Sequence, residues 1–123
     1  MKDKVADKEK LIYRYHAEMC KVFSHPTRLE LINTLRDKEA TVGELAGKLR
    51  VGIGNLSQHL SMMKERRILS SRKEGNQVYY RVANPRMLRA FDLLREILLE
   101  QIQKDSLLLT AETKTKKRYH PIS

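Results

Sequence analysis

Apolar residues recur at helical spacing through most of the chain, and the period shortens to two in one stretch near residue 75. Ile12, Tyr15, Met19, Val22 and Phe23 make an amphipathic helix from Leu11 to Phe23. His25-Pro26 ends it, because the residue before a proline is pushed out of the helical region. Pro26 then opens a second helix, Thr27 to Arg36, with Leu29, Ile32 and Leu35 facing inward. Thr41 followed by Glu44 has the form of a capping box and predicts a short helix from Thr41 to Leu49. Its core face is Val42, Leu45, Ala46 and Leu49, and Gly47 weakens it. Arg50-Val51-Gly52 is a tight connection, with Gly52 the expected N-cap of the next helix. That helix buries Leu56, Leu60 and Met63, with Ile53 just before them. Two short helices joined by so brief a turn have helix-turn-helix spacing.

Beyond Arg67 the alternation changes to that of strands, Leu69 to Glu74 and Gln77 to Val82, joined by the hairpin signal Gly75-Asn76. Val78, Tyr80 and Val82 are expected to face the core. A hairpin directly after a recognition helix is a wing. Asn84-Pro85 opens the last helix, which is expected to run to about Gln103 or beyond. Leu88, Phe91, Leu94, Leu98 and Ile102 form its stripe, widened by Leu93, Ile97 and Leu99. That is more apolar face than a small domain covers alone, and the first helix has a similar surplus. A homodimer in which both terminal helices pack on their twofold mates is the economical solution. The expected fold is mainly α with a small β-hairpin: a winged helix-turn-helix, dimeric through its first and last helices. Residues 1–10 are expected to be a charged, fraying arm, 11–111 the domain, and 112–123 a disordered basic tail carrying Lys114, Lys116, Lys117 and Arg118.

Charge narrows the choice of partner. The 123 residues hold 25 Lys and Arg against 15 Asp and Glu, a formal net charge of +10 that favours a polyanion. Residues 64–81 concentrate it, with Lys64, Arg66, Arg67, Arg72, Lys73 and Arg81 against Glu65 and Glu74. A single cysteine excludes an intrachain disulfide and fits a reducing cytoplasm. No apolar run reaches the roughly 18 residues a bilayer span needs, and MKDKVADKEK lacks a signal-peptide core. A soluble cytoplasmic protein with no membrane partner is expected.

The helix after Gly52 carries the candidate chemistry. Gly54, Asn55, Ser57, Gln58 and Ser61 lie on its flanks and back, all small or bearing amide and hydroxyl groups. Such a face suits hydrogen bonding to base edges in a major groove of double-stranded DNA. Lys64, with Arg66 and Arg67, ends the helix, where cations both complement the dipole and steer DNA. Arg72, Lys73, Asn76 and Arg81 on the wing are candidates for phosphate contact. His59, beside the buried stripe, reads as a packed, hydrogen-bonded histidine, and His25 as structural. Gly52-x-Gly54 is no nucleotide loop, since no apolar strand precedes it.

His16 and Cys20 lie four apart on one face of the first helix. An inert buried thiol, redox or sulfur sensing, and a metal shared across a dimer all remain open for them. The leading function is a dimeric DNA-binding repressor, and the alternative is a winged-helix protein-interaction adaptor whose charge serves solubility. Nothing marks an enzyme: there is no Ser-His-Asp or Cys-His set, no phosphate loop and no paired carboxylate. No cofactor is expected. Single-stranded RNA would want an exposed aromatic strand face, and Tyr79 and Tyr80 point to opposite sides.

Three segments in order, Phe23-Ser-His-Pro-Thr-Arg-Leu29, Leu56-Ser-Gln-His-Leu60 and Arg72-Lys-Glu-Gly-Asn-Gln-Val-Tyr-Tyr-Arg81, resemble the ArsR/SmtB family of winged-helix repressors over about residues 11–103. The resemblance implies a homodimer that binds an imperfect inverted repeat in its own promoter region and is released by a metal or another small inducer. The chain departs from that pattern in three places. Thr41–Leu49, where many members carry a Cys-x-Cys box, has neither thiol nor imidazole. The last helix offers Asp92, Glu96 and Glu100 but no His, so both usual metal sites are expected to be absent. Gly52-Ile53-Gly54 stands where relatives often have Ser-Gln-Ser or Ser-Gln-Pro, which shifts base reading toward Asn55, Ser57 and Gln58.

Overall fold

A computed structural model describes residues 2–112. The expected basic tail 112–123 therefore lies outside the described residues, except for Glu112, which closes the last helix. The chain divides into two units, Met1–Asn84 and the remainder from Pro85.

In the first unit, α1 runs Lys2–Cys20 and continues as one turn of 3-10 helix, Lys21–Ser24. The helix thus starts at Lys2, where a fraying arm was expected. The stretch 2–10 is Lys, Asp, Ala and Glu with a single exposed apolar residue, Val5, and it needs no apolar stripe to be helical. Only the end of this segment is buried, at Val22; Ile12 and Tyr15 are 63% and 68% exposed. α2 spans Pro26–Thr34 with Pro26 in its first turn and His25 as N-cap, the His25 Nδ1 accepting from the Thr27 N–H at 3.1 Å. Its inward side is Leu31, Ile32 and, at the C-cap, Leu35, whereas Leu29 is only half-buried.

Thr41 opens α3 (Val42–Leu49) through a complete capping box. Its hydroxyl accepts from the Glu44 N–H, and the Glu44 carboxylate accepts from the Thr41 N–H. Leu45 and Ala46 are buried, while Val42 and Leu49 are half-buried. The turn into α4 (Ile53–Glu65) passes through Arg50 in the left-handed region, φ 58°, and Gly52 at the N-cap. Leu56, Leu60 and Met63 of α4 are fully buried and lock it to the core. Burying a side chain of this size is worth about 1.5–3 kcal/mol. Ile53 was expected with them but is 57% exposed, because it stands in the first turn, ahead of the packed stripe.

The sheet has three strands, in the order β1-β3-β2. β2 (Leu69–Glu74) and β3 (Gln77–Val82) pair antiparallel across Gly75-Asn76, where Gly75 has φ 61°. A third strand, β1 (Ala40–Thr41), was not expected; it pairs with β3 through Ala40–Tyr80 and Thr41–Tyr79. Ile68 and Leu69 anchor the base of the hairpin in the core. Tyr80 and Val82 are half-buried, but Val78, expected to face the core, is 36% exposed near the free end of the wing.

The second unit holds α5 (Arg86–Glu112), which runs beyond Gln103. Leu93, Leu94, Ile97, Leu98 and Leu99 are exposed, whereas Phe91 is buried and Leu88 and Ile102 are half-buried. No helix among the described residues is long and apolar enough to cross a membrane.

Candidate nucleic-acid interface

α4 has two chemically opposite sides. Its inward stripe fixes its roll, and that roll leaves Gly54, Asn55, Gln58, Ser61 and Lys64 exposed, with Ser57 half-buried. No acidic residue occurs in α4 before Glu65, its last residue. The helix starts on the Leu56 N–H to Gly52 C=O bond of 2.9 Å, and Gly52 brings no side chain to cap the first-turn N–H groups. Adding a Cβ at Gly54 would meet nothing within 4 Å, so the surface there is open enough for close approach of another molecule.

The inward flank of α4 is tied down by polar contacts. His59 is half-buried, its Nδ1 3.4 Å from Nη1 of Arg28 and its ring 4.5 Å from that of His25. Burial, then His25 and Arg28, hold its imidazole below the usual histidine range. Arg28 in turn donates from Nε to the Val22 carbonyl at 2.9 Å and from Nη2 to the Lys21 carbonyl at 3.0 Å. Arg66 ends α4 and donates to both the carbonyl and the carboxylate of Glu18. The sequence marked Arg66 as part capping, part steering; in the fold its guanidinium faces α1. Arg67 follows with φ 63°.

The wing presents Lys73, Asn76 and Arg81 at its surface. Arg72, expected among the phosphate contacts, is engaged elsewhere. Its Nε lies 2.9 Å from both carboxylate oxygens of Glu39, its Nη1 donates to Glu74, and the guanidinium sits 4.6 Å above the Tyr79 ring. The two carboxylates hold the Arg72 charge in place, raising its proton affinity further.

Sequence reasoning did not assign Glu18, Arg28 or Glu39 a role. Arg28 was visible inside the quoted Ser-His-Pro-Thr-Arg segment, and a long cation beside a packed helix face is the signal that could have found it. His16 and Cys20 are both exposed, so the buried-thiol reading of Cys20 does not describe the single chain. Among the described residues no group of three or more His, Cys, Asp or Glu is placed to hold a metal ion.

A helix-turn-helix whose second helix shows a short polar face, followed by a hairpin wing, defines the winged helix-turn-helix class. Comparison with known proteins carries this further. A family model described as bacterial regulatory protein, arsR family, matches residues 25–71. The biofilm growth-associated repressor of Agrobacterium fabrum is 38% identical over 81 residues, covering 66% of this chain and 69% of its own length. The crystal structure of Rv0081 from Mycobacterium tuberculosis superposes with a TM-score of 0.71 at 26% identity, over 77% of this chain and 96% of that one. A homodimeric winged helix-turn-helix DNA-binding domain from Mycobacterium bovis, at 23% identity, shares the fold with a TM-score of 0.73 over 80% of this chain and 91% of its own. The chain belongs to the arsR family of bacterial regulatory proteins.

Proposed function

We propose that this chain is a cytoplasmic, non-catalytic repressor that binds an inverted-repeat operator as a homodimer. α4 lies in the major groove, where Asn55, Gln58 and Ser61 read base edges and Ser57 supports them from the flank. Gly54 permits close approach. Lys64, Lys73, Asn76 and Arg81 hold phosphates on either side. One observation carries the reading: the wholly buried Leu56–Leu60–Met63 side of α4 is backed by an exposed side of short polar groups, free of carboxylates until Glu65. Carboxylates there would repel phosphate, and long aliphatic chains would hide the hydrogen-bonding groups. The uncovered apolar faces of α1 and α5 support a second copy, as does the homodimeric state given for the Mycobacterium bovis domain. Two copies related by a twofold axis match a palindromic site.

The test is binding to duplexes selected by the wild-type chain from a random-sequence pool, followed by Gln58→Ala. Loss of a base contact should cost about 1–3 kcal/mol on the selected duplex and leave binding to random duplex nearly unchanged. Equal losses on both would remove Gln58 from base reading, and failure to enrich any sequence would overturn the operator-binding role.

A further inference from the structure

The base of the wing continues from α4, where the Ile68 N–H donates to the Met63 carbonyl at 2.9 Å, but across the sheet only two residues pair it with the segment that leads into α3. β1, which leads directly into α3, contributes two residues to the sheet, and both pair with β3. β2 is on the far side of β3 and makes no main-chain contact with β1. Register places Arg72 opposite Tyr79 and Tyr79 opposite Thr41, so the three form a row across the sheet. Arg72 spans that row. Its guanidinium lies over the Tyr79 ring of the central strand and reaches Glu39, the residue just before β1, with Nε 2.9 Å from each carboxylate oxygen. Glu74, two residues on in β2, takes Nη1.

We propose that Arg72 is a positioning residue: with Glu39 it clamps the outer strands across Tyr79 and sets the wing's angle to the recognition helix, leaving phosphate contact to Lys73 and Arg81. Three features of the site fit this role. A guanidinium between two carboxylates presents little net charge to a phosphate. The flat stack on Tyr79 fixes its direction. The link joins segments 33 residues apart whose strands, β1 and β2, are not neighbours in the sheet.

This inference rests on the DNA-binding reading, and two measurements separate their fates. The first needs no DNA. Hydrogen exchange of the Ala40, Tyr79 and Tyr80 amides should quicken in Glu39→Gln and in Arg72→Gln, but not in Lys73→Gln. Unchanged exchange in the first two overturns the clamp. The second is the salt dependence of binding to the selected duplex. Arg72→Gln and Glu39→Gln should each weaken binding on the order of 3- to 30-fold, as expected of a residue acting through another, with an unchanged slope. Lys73→Gln should make the slope shallower by about one. If Arg72→Gln flattens the slope and Glu39→Gln tightens binding by freeing the guanidinium, Arg72 is a phosphate contact and the proposal fails. If exchange reports the clamp but no duplex is bound, the DNA-binding reading fails and the clamp stands as a fold element alone.

Discussion

Arg66, at the C-cap of the recognition helix, donates to both the main-chain carbonyl and the carboxylate of Glu18 on α1. Two bonds of different kinds therefore hold the end of α4 to a helix that begins the chain. The carboxylate is also bound by Lys21, and Lys21 first and Arg66 second hold it below the ordinary carboxylate range.

The two halves of this link separate by mutation. Arg66→Ala removes both bonds, whereas Glu18→Gln keeps the carbonyl acceptor and loses only the charge. Arg66→Ala should lower the urea midpoint more than Glu18→Gln does. Because folding lowers the pKa of Glu18, its contribution is present above the ordinary value near 4.5 and is lost as pH falls through the lower folded value. The gap between wild type and Glu18→Gln should thus close as pH falls from 4.5 through the lower folded value. A gap that persists in acid would mean the carboxylate charge is not what Arg66 holds.

His59 gives a second pH signature, at a higher range. Its folded pKa lies below the ordinary 6.5, since burial, His25 and Arg28 all oppose a charged imidazole. The unfolded chain therefore takes up this proton first on acidification. Stability is full above about pH 6.5 and declines as pH falls from there through the folded value. His59→Gln should flatten that part of the stability curve, measured by urea unfolding at closely spaced pH values. An NMR titration placing His59 at or above 6.5 would contradict the packing described here.

These arginine links mark the limit of what the sequence discloses. The capping box at Thr41 and Glu44 and the hairpin at Gly75-Asn76 were readable because every group involved is close in the chain. The polar face of α4 was readable because its buried stripe fixes where the remaining side chains point. β1 was not: two residues carry no periodicity, and their partner, β3, lies some forty residues later. The Arg72–Glu39 pair was not readable for the same reason, since Glu39 sits in a connection with no pattern of its own. The first turns of α1 are not legible either, because they rest on helix propensity without apolar spacing.

The turn between α3 and α4 stores strain at Arg50, which caps α3 with φ 58° and ψ 45° while its N–H bonds to the Ala46 carbonyl. The left-handed region costs a non-glycine residue roughly 1–2 kcal/mol. Glycine's extra freedom in the unfolded chain takes back about 0.4–1 kcal/mol. Arg50 is exposed, so little packing is lost with its side chain. Arg50→Gly should therefore stabilise the protein by about 0.5–1 kcal/mol, seen as a raised melting temperature. A lowered melting temperature would show that the arginine side chain stabilises the turn by more than its backbone strain costs.

Gly54 separates the demands of folding from those of binding. It sits in the first turn of α4, exposed, with room for a Cβ on every side. In the free protein, then, Gly54→Ala should stabilise the helix by up to about 1 kcal/mol, the alanine advantage in helical backbone. If the first turn of α4 approaches a groove floor as proposed, the same methyl group intrudes between helix and base edges. Affinity for the selected duplex should then fall by about tenfold while the melting temperature rises. Gly47→Ala on α3 is the control: that glycine also has open space around it and lies outside the proposed interface. It should stabilise without affecting binding. Should Gly54→Ala stabilise the protein and bind the duplex as tightly as wild type, the start of α4 stands away from the groove, and base reading falls to residues from Gln58 onward.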